Sequence, residues 1–279
     1  MTRIVYVDGR YRRHAYAMIP VEDRAFLFAD GIYEVCLVRD GAIVDLDLHL
    51  DRLWRSLGEL RIAAPMDRAP LIVAMTETVR RNRVDYGLLY LQISRGVAHR
   101  DHAFPAGVRP TLVMMAWPTD PSRGPALAKK GVKVVTQPDI RWKRRDIKSV
   151  SLLPNVLAKQ AAREAGAFEA WLVDDDGTVT EGTSTNAWIV TKDGAIVTRN
   201  LSNEILSGVT RLRALAVAAQ EGMRVAERPF SVAEAKAAKE AFQTSTTLLV
   251  IPVVAIDGHK IGDGKPGPIA RKLRAALEA

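Results

Sequence analysis

Lysine is missing from the first 118 residues of this 279-residue chain: all twelve lysines lie from Lys129 onward, and every fixed cationic side chain before them is an arginine. Chemistry that needs a side-chain amine must therefore draw it from the second half. Cysteine is nearly absent too. The single thiol, Cys36, excludes an internal disulfide and is too few for a structural zinc site, and within Tyr33-Glu-Val-Cys-Leu-Val38 it reads as a buried strand residue. No apolar run approaches the roughly 18 residues of a membrane span. The opening Met-Thr-Arg-Ile-Val-Tyr-Val lacks the pattern of a secretory signal, so a cytoplasmic protein is expected. Aromatic residues make up only 6%, and the net charge of +8 is carried by dispersed arginines rather than by a basic stripe interleaved with aromatics. Small anionic ligands explain that balance as well as nucleic acid does.

What is present is ordinary globular material, 48% hydrophobic and 26% charged, long enough for two medium domains. Trp117-Pro-Thr-Asp-Pro-Ser-Arg-Gly-Pro125 packs three prolines and a glycine into nine residues. It predicts a linker over 119–125 between an N-terminal domain, 1–118, and a C-terminal domain, 126–279. In the first, Ile4 to Gly9 reads as a strand and turn, and 33–44 as two strands joined by an Asp40-Gly41 hairpin. Apolar spacing predicts helices over 48–60 and 69–82, and strands over 87–93 and 111–117. In the second, strands are expected at 132–136, 169–173, 187–190 and 248–251, with helices at 155–165, 210–221 and 232–239. Strands and helices mix without βαβ alternation, which indicates the α+β class.

One lysine stands out. Arg141-Trp-Lys-Arg-Arg-Asp-Ile-Lys-Ser149 places Lys148 after a cationic run and before the apolar stretch Val150-Ser-Leu-Leu-Pro154. Partial desolvation and neighbouring positive charge both favour an uncharged amine, which can attack an aldehyde to give a Schiff base. Three hydroxyl-rich breaks follow: Glu181-Gly-Thr-Ser-Thr-Asn186, Ser207-Gly-Val-Thr-Arg211 and Thr244-Ser-Thr-Thr247. The middle one precedes a predicted helix, where unpaired N–H groups and the helix dipole suit a phosphate. A reactive lysine, a phosphate cradle and an isolated acid, Glu181, are what a pyridoxal phosphate enzyme needs: an anchor for the aldehyde, one for the phosphate, and a carboxylate for the pyridine nitrogen.

Seven ordered blocks carry a family resemblance: Phe28-Ala-Asp-Gly-Ile-Tyr-Glu34, His49-Leu-Asp-Arg-Leu53, Arg95 to Pro105, Asp146-Ile-Lys-Ser149, Thr180 to Asn186, Ile205 to Arg211, and Thr244 to Thr247. Over almost its whole length the chain resembles fold-type IV pyridoxal phosphate aminotransferases, and within them the D-amino acid branch. The resemblance implies a smaller N-terminal α/β sandwich and a larger β-barrel-like C-terminal domain with surrounding helices. It further implies that Lys148 holds the cofactor as an internal aldimine and shuttles the substrate proton, and that Glu181 pairs with the pyridine nitrogen. Arg52, Val209, Thr210 and Thr246 match phosphate-holding positions. Tyr33, Arg100 and His102 match a trap for the substrate carboxylate, with the arginine and histidine supplied by a neighbouring subunit, hence a homodimer. Transamination between D-amino acids and 2-oxo acids by a ping-pong cycle is the expected activity.

Alternatives on the same fold are an L-branched-chain or amine aminotransferase and an aminodeoxychorismate lyase. A non-catalytic binding protein would lack a bound chromophore. His99-Arg-Asp has no glycine-rich loop or Asp-Phe-Gly companion to make it a kinase motif. His99 and His102 have no further ligand cluster, so no metal is expected, and Gly262 to Gly267 lacks the ending of a phosphate-binding loop. It reads as a turn-rich surface loop. Leu248-Leu-Val-Ile251 stands where D-specific relatives continue with polar residues, which points to a more apolar wall there.

Overall fold

A computed structural model describes residues 3–278. The chain forms two compact units, Met1–Pro121 with Ile147–Ser151, and Ser122–Asp146 with Leu152–Ala279. The proline-rich stretch is not loop throughout, because helix α4 (Arg123–Lys130) starts inside it. The five-residue return to the first unit at 147–151 has no counterpart in the expected boundaries.

The first unit is built on a six-stranded antiparallel sheet in the order β2-β1-β6-β5-β3-β4. Its strands are β1 (Ile4–Val7), β2 (Arg10–Arg13), β3 (Gly31–Arg39), β4 (Ala42–Ile43), β5 (Gly87–Ser94) and β6 (Thr111–Pro118). Asp40 and Gly41 take positive φ of 51° and 71°, the geometry that lets two residues reverse a right-twisted strand pair. Helices α2 (Leu46–Glu59) and α3 (Arg68–Arg81) lay Leu50, Leu53, Leu57, Leu71, Met75 and Val79 against one sheet face, where Ile32, Cys36, Leu89 and Leu91 answer them. This is an α/β sandwich. Short helix α1 (Arg24–Phe28), capped by the Asp23 carboxylate accepting from the Ala25 N–H, leads into β3.

The second unit holds a nine-stranded mixed sheet. Its main path runs β12-β11-β10-β13-β14-β7-β8-β9, with β15 beside β14. The strands are β7 (Val132–Pro138), β8 (Glu169–Val173), β9 (Val179–Gly182), β10 (Asn186–Val190), β11 (Ile196–Thr198), β12 (Val225–Glu227), β13 (Glu240–Ser245), β14 (Leu249–Ile256) and β15 (His259–Lys260). Along that path β9 and β10 are five strand spacings apart, about 24 Å in a flat sheet. Only residues 183–185 join them, and four Cα steps reach no more than about 14 Å. The sheet must therefore curl, and it does: Gly182 N–H donates to the Thr185 carbonyl at 2.7 Å. Both faces of β10 are covered. Ala187 and Ile189 enter one core, while Trp188 and Val190 enter another with α6 (Val209–Gln220) and α8 (Pro268–Glu278). The remaining helices are α5 (Leu153–Glu164) and α7 (Val232–Ala237). Among the described residues no helix is long and apolar enough to cross a membrane.

Candidate active site

Lys148 reaches the first unit through its backbone. The Tyr33 N–H donates to the Lys148 carbonyl and the Val150 N–H to the Gly31 carbonyl, each at 3.0 Å. Residues 148–150 thereby extend the sheet along the edge of β3, and Ile147 is buried in the sandwich core. The half-buried side chain of Lys148 places its Nζ 4.1 Å from the centre of the Tyr33 ring, and no carboxylate pairs with it among the described residues. Tyr33 also stacks on Tyr90 at 5.8 Å. The positive charge that the sequence places ahead of Lys148 is compensated in the fold. Arg141 pairs with Asp139 and Glu181, Arg144 with Asp146, and Arg145 with Asp174, so the arginines of that run are neutralised within the second unit.

One turn of the pleat from Tyr33, Glu34 faces the apolar core, where an unpaired acid would be costly. Arg52 of α2 answers with Nε on Oε1 and Nη2 on Oε2, both at 2.8 Å, and His49 Nδ1 lies 2.8 Å from Oε2. Burial raises the Glu34 carboxyl, but Arg52 and His49 outweigh it and bring it down to about 2. His49 Nε2 is buried without a hydrogen-bond partner.

In the second unit Glu181 lies at the end of β9, 5% exposed. Its Oε1 accepts from Arg141 Nη1 at 2.5 Å; Oε2 accepts from Asn186 Nδ2 at 3.0 Å and the Leu206 N–H at 3.1 Å. Burial raises this carboxyl and remains the larger influence, despite Arg141 and the Leu206 N–H pulling it down. A carboxylate has about four acceptor positions. Three are filled, so the site suits one more donor, such as a protonated ring nitrogen.

Asn186 connects that acid to the helix N-terminus. Its Nδ2 also donates to the Leu206 carbonyl at 3.0 Å, and its Oδ1 lies so close over Gly208 that an added Cβ would meet it at 2.1 Å. Gly208 is the N-cap of α6, with no side chain capping the helix. Val209 and Thr210 follow, 1% and 5% exposed, so their N–H groups point out of a buried, uncapped helix start. A phosphate fits such donors. The sequence reading began this helix at Thr210; the structure begins it one residue earlier. Thr246 is half-buried in the turn between β13 and β14. Val250 and Ile251 are core residues of β14, which accounts for the apolar character after that turn.

Arg100 and His102 are exposed in the first unit, on a loop pinned from α1. Arg24, 3% exposed, donates to the Asp101 carbonyl at 2.6 Å and holds Asp30 at 2.8 Å. The Phe28 ring lies 5.1 Å from the Arg100 guanidinium and 5.3 Å from the His102 ring. No hydrogen bond or ring contact joins either residue to Tyr33 among the described residues. Sequence reasoning missed Arg141, Asp139, Asn186, Glu34 and His49. A glutamate inside an alternating apolar strand was the one signal available for Glu34.

Residues 31–256 match the family described as amino-transferase class IV. The D-alanine aminotransferase of Bacillus licheniformis is 40% identical over 274 residues, covering 98% of this chain and 95% of that protein. Among solved structures, the branched-chain aminotransferase of the thermophilic archaeon Thermoproteus uzoniensis with norvaline superposes with a TM-score of 0.88 at 25% identity, over 100% of this chain and 94% of that one. The PLP-bound form of a hypothetical aminotransferase from Mycobacterium tuberculosis superposes with a TM-score of 0.84 at 25% identity, over 99% and 98%. The chain belongs to the class IV aminotransferases.

Proposed function

We propose that the protein is a pyridoxal phosphate-dependent aminotransferase that passes the amino group of D-amino acids to 2-oxo acids. The carrying observation is Glu181, a buried carboxylate with three donors and room for a fourth, tied by Asn186 to the uncapped start of α6. The 40% identity to a D-alanine aminotransferase over nearly the whole chain supports the substrate class. When bound, the cofactor supplies an aldehyde carbon for amines and a protonated ring that draws electron density from the substrate α carbon.

The protein residues do the rest. Lys148 Nζ would hold the aldehyde end of the cofactor, and as the free amine it would accept the substrate α proton and return it. Glu181 holds the ring N–H. The Val209 and Thr210 N–H groups, the Thr210 and Thr246 hydroxyls and Arg52 hold the phosphate. Tyr33, Arg100 and His102 grip the substrate carboxylate, Arg100 as a charge-assisted donor. Arg100 and His102 act from a second copy of the chain. Their exposure supports this, as do the exposed apolar side chains Met18, Val21 and Phe26, and Leu153, Val156 and Leu157 along α5.

The decisive measurement mixes the purified protein with D- and L-alanine and follows cofactor absorbance. A change with D-alanine is expected. No change with D-alanine, together with turnover of an L-branched substrate, would overturn the stereochemical assignment in favour of the branched-chain activity suggested by the structural likeness. Sedimentation should show a dimer.

A further inference from the structure

Behind Glu181 runs a chain of buried charge within the second unit. The Asp139 side chain is fully buried, and its two oxygens take Arg141 Nε at 2.9 Å and Nη2 at 2.7 Å. The Thr180 hydroxyl donates to the same carboxylate at 2.7 Å. Arg145 Nε lies 3.3 Å away as an ion pair without hydrogen-bond alignment, and Arg145 Nη1 continues to Asp174 at 3.0 Å. A guanidinium is planar, so a carboxylate forked across its Nε and Nη2 edge fixes where the remaining Nη1 points. Here it points to Glu181 Oε1. The other oxygen, Oε2, already has two donors, so the vacant acceptor position belongs to the oxygen that Arg141 grips.

We propose that Arg141, aimed by Asp139, is a positioning residue that keeps Glu181 as a carboxylate and presents its Oε1 to the ring N–H. This rests on the role given to Glu181 above. The groups that face Glu181 are Arg141 and Asp139 from the segment after β7, Asn186 from β10 and the Leu206 N–H before α6; Arg145 and Asp174 stand one step behind. Without Arg141 the acid would be buried beside Asp139 with neutral donors alone, and protonation would be the cheaper state. A neutral acid cannot form an ion pair with a protonated ring.

The test compares wild type, Arg141→Met, Arg141→Lys, Asp139→Asn and Glu181→Gln. Infrared difference spectra across pH follow the carbonyl band of protonated Glu181, assigned by its loss in Glu181→Gln, and absorbance titration of the holoenzyme follows the ring. Arg141→Met should move the Glu181 titration upward by about 1–3 pH units, the usual effect of losing an adjacent opposite charge. Arg141→Lys should recover part of the shift, and Asp139→Asn should disturb the holoenzyme spectrum while Arg141 is still present. If Arg141→Met does not fold, the Lys and Asn variants decide: both titrating with wild type would overturn the proposal, as would an unshifted, folded Arg141→Met. If Glu181→Gln itself leaves the holoenzyme spectrum and the D-alanine reaction unchanged, it is the underlying role of Glu181 that fails.

Discussion

Glu34 on β3 and Glu181 on β9 are both almost wholly buried, and each meets an arginine, one pair in each unit. Burial raises both acids. Arg52 then gives Glu34 one N–H on each oxygen and His49 adds a third contact, so its carboxyl falls to about 2. Arg141 gives Glu181 a single N–H, because its forked edge is committed to Asp139, and Asp139 adds repulsion; Glu181 stays raised. The lesson is that sharing decides the outcome. An arginine forked onto one acid makes a structural ion pair, whereas an arginine shared between two leaves the second acid poised for another cationic donor.

Lys148→Ala sets the upper end of the scale against which both acids are measured. It should lower turnover by roughly a thousandfold or more, since no neighbouring group can replace a covalent amine, and borohydride should no longer fix cofactor to the chain. Next, the two glutamates should differ most in their cost to stability. Glu181→Gln should cut turnover by roughly 10²–10³-fold, the range for losing one electrostatic contact to the reacting system, with no loss of stability in urea. Glu34→Ala should cost about 3–5 kcal/mol of unfolding free energy, because it strands the buried Arg52 charge. The reverse pattern would break the comparison.

Acid sharpens it. The Glu34 carboxyl is depressed from 4.5 to about 2, so its stabilisation is complete above 4.5 and is lost as pH falls toward 2; at full strength this is about 3 kcal/mol. Glu181 is raised from 4.5, so its contribution is present below that value and is lost as pH rises through the higher folded-state value. Urea midpoints should therefore lose their acid decline in Glu34→Gln and gain stability toward neutral pH in Glu181→Gln. The smallest effect is expected at the exposed loop. Arg24→Ala releases the Asp101 carbonyl and should raise the Michaelis constant for D-alanine by roughly tenfold, the worth of about one hydrogen bond to a charged group, with turnover nearly unchanged.

Local chemistry was the most legible. The Asp40-Gly41 turn announced itself because two positive φ angles need those residue types, and α2 because its leucines recur at helical spacing. Lys148 and Glu181 were found through short blocks around them. Buried polar residues were hidden. β13 carries Gln243 and Thr244 at 1% and 2% exposure, paired with Trp171 and Trp188, whereas a hydropathy reading assigns such residues to the surface. α8 was missed although Leu273 and Leu277 lie one turn apart, because a glycine-rich turn precedes it. α7 ends two residues short of the helix expected over 232–239, because the Lys239 N–H bonds the Val190 carbonyl instead. The charges of 141–145 look like a field in the sequence because two of their partners, Asp174 and Glu181, are brought to them only by folding.

The return of residues 147–151 also bears on how the protein is made. A nascent chain that has emerged only as far as Pro121 has every strand of the antiparallel sheet, yet the Gly31–Tyr33 border still lacks the hydrogen bonds that come from Lys148 and Val150. Synthesis must run some thirty residues further before that border is sealed, and until then it is open to pairing with the same stretch on another ribosome's product.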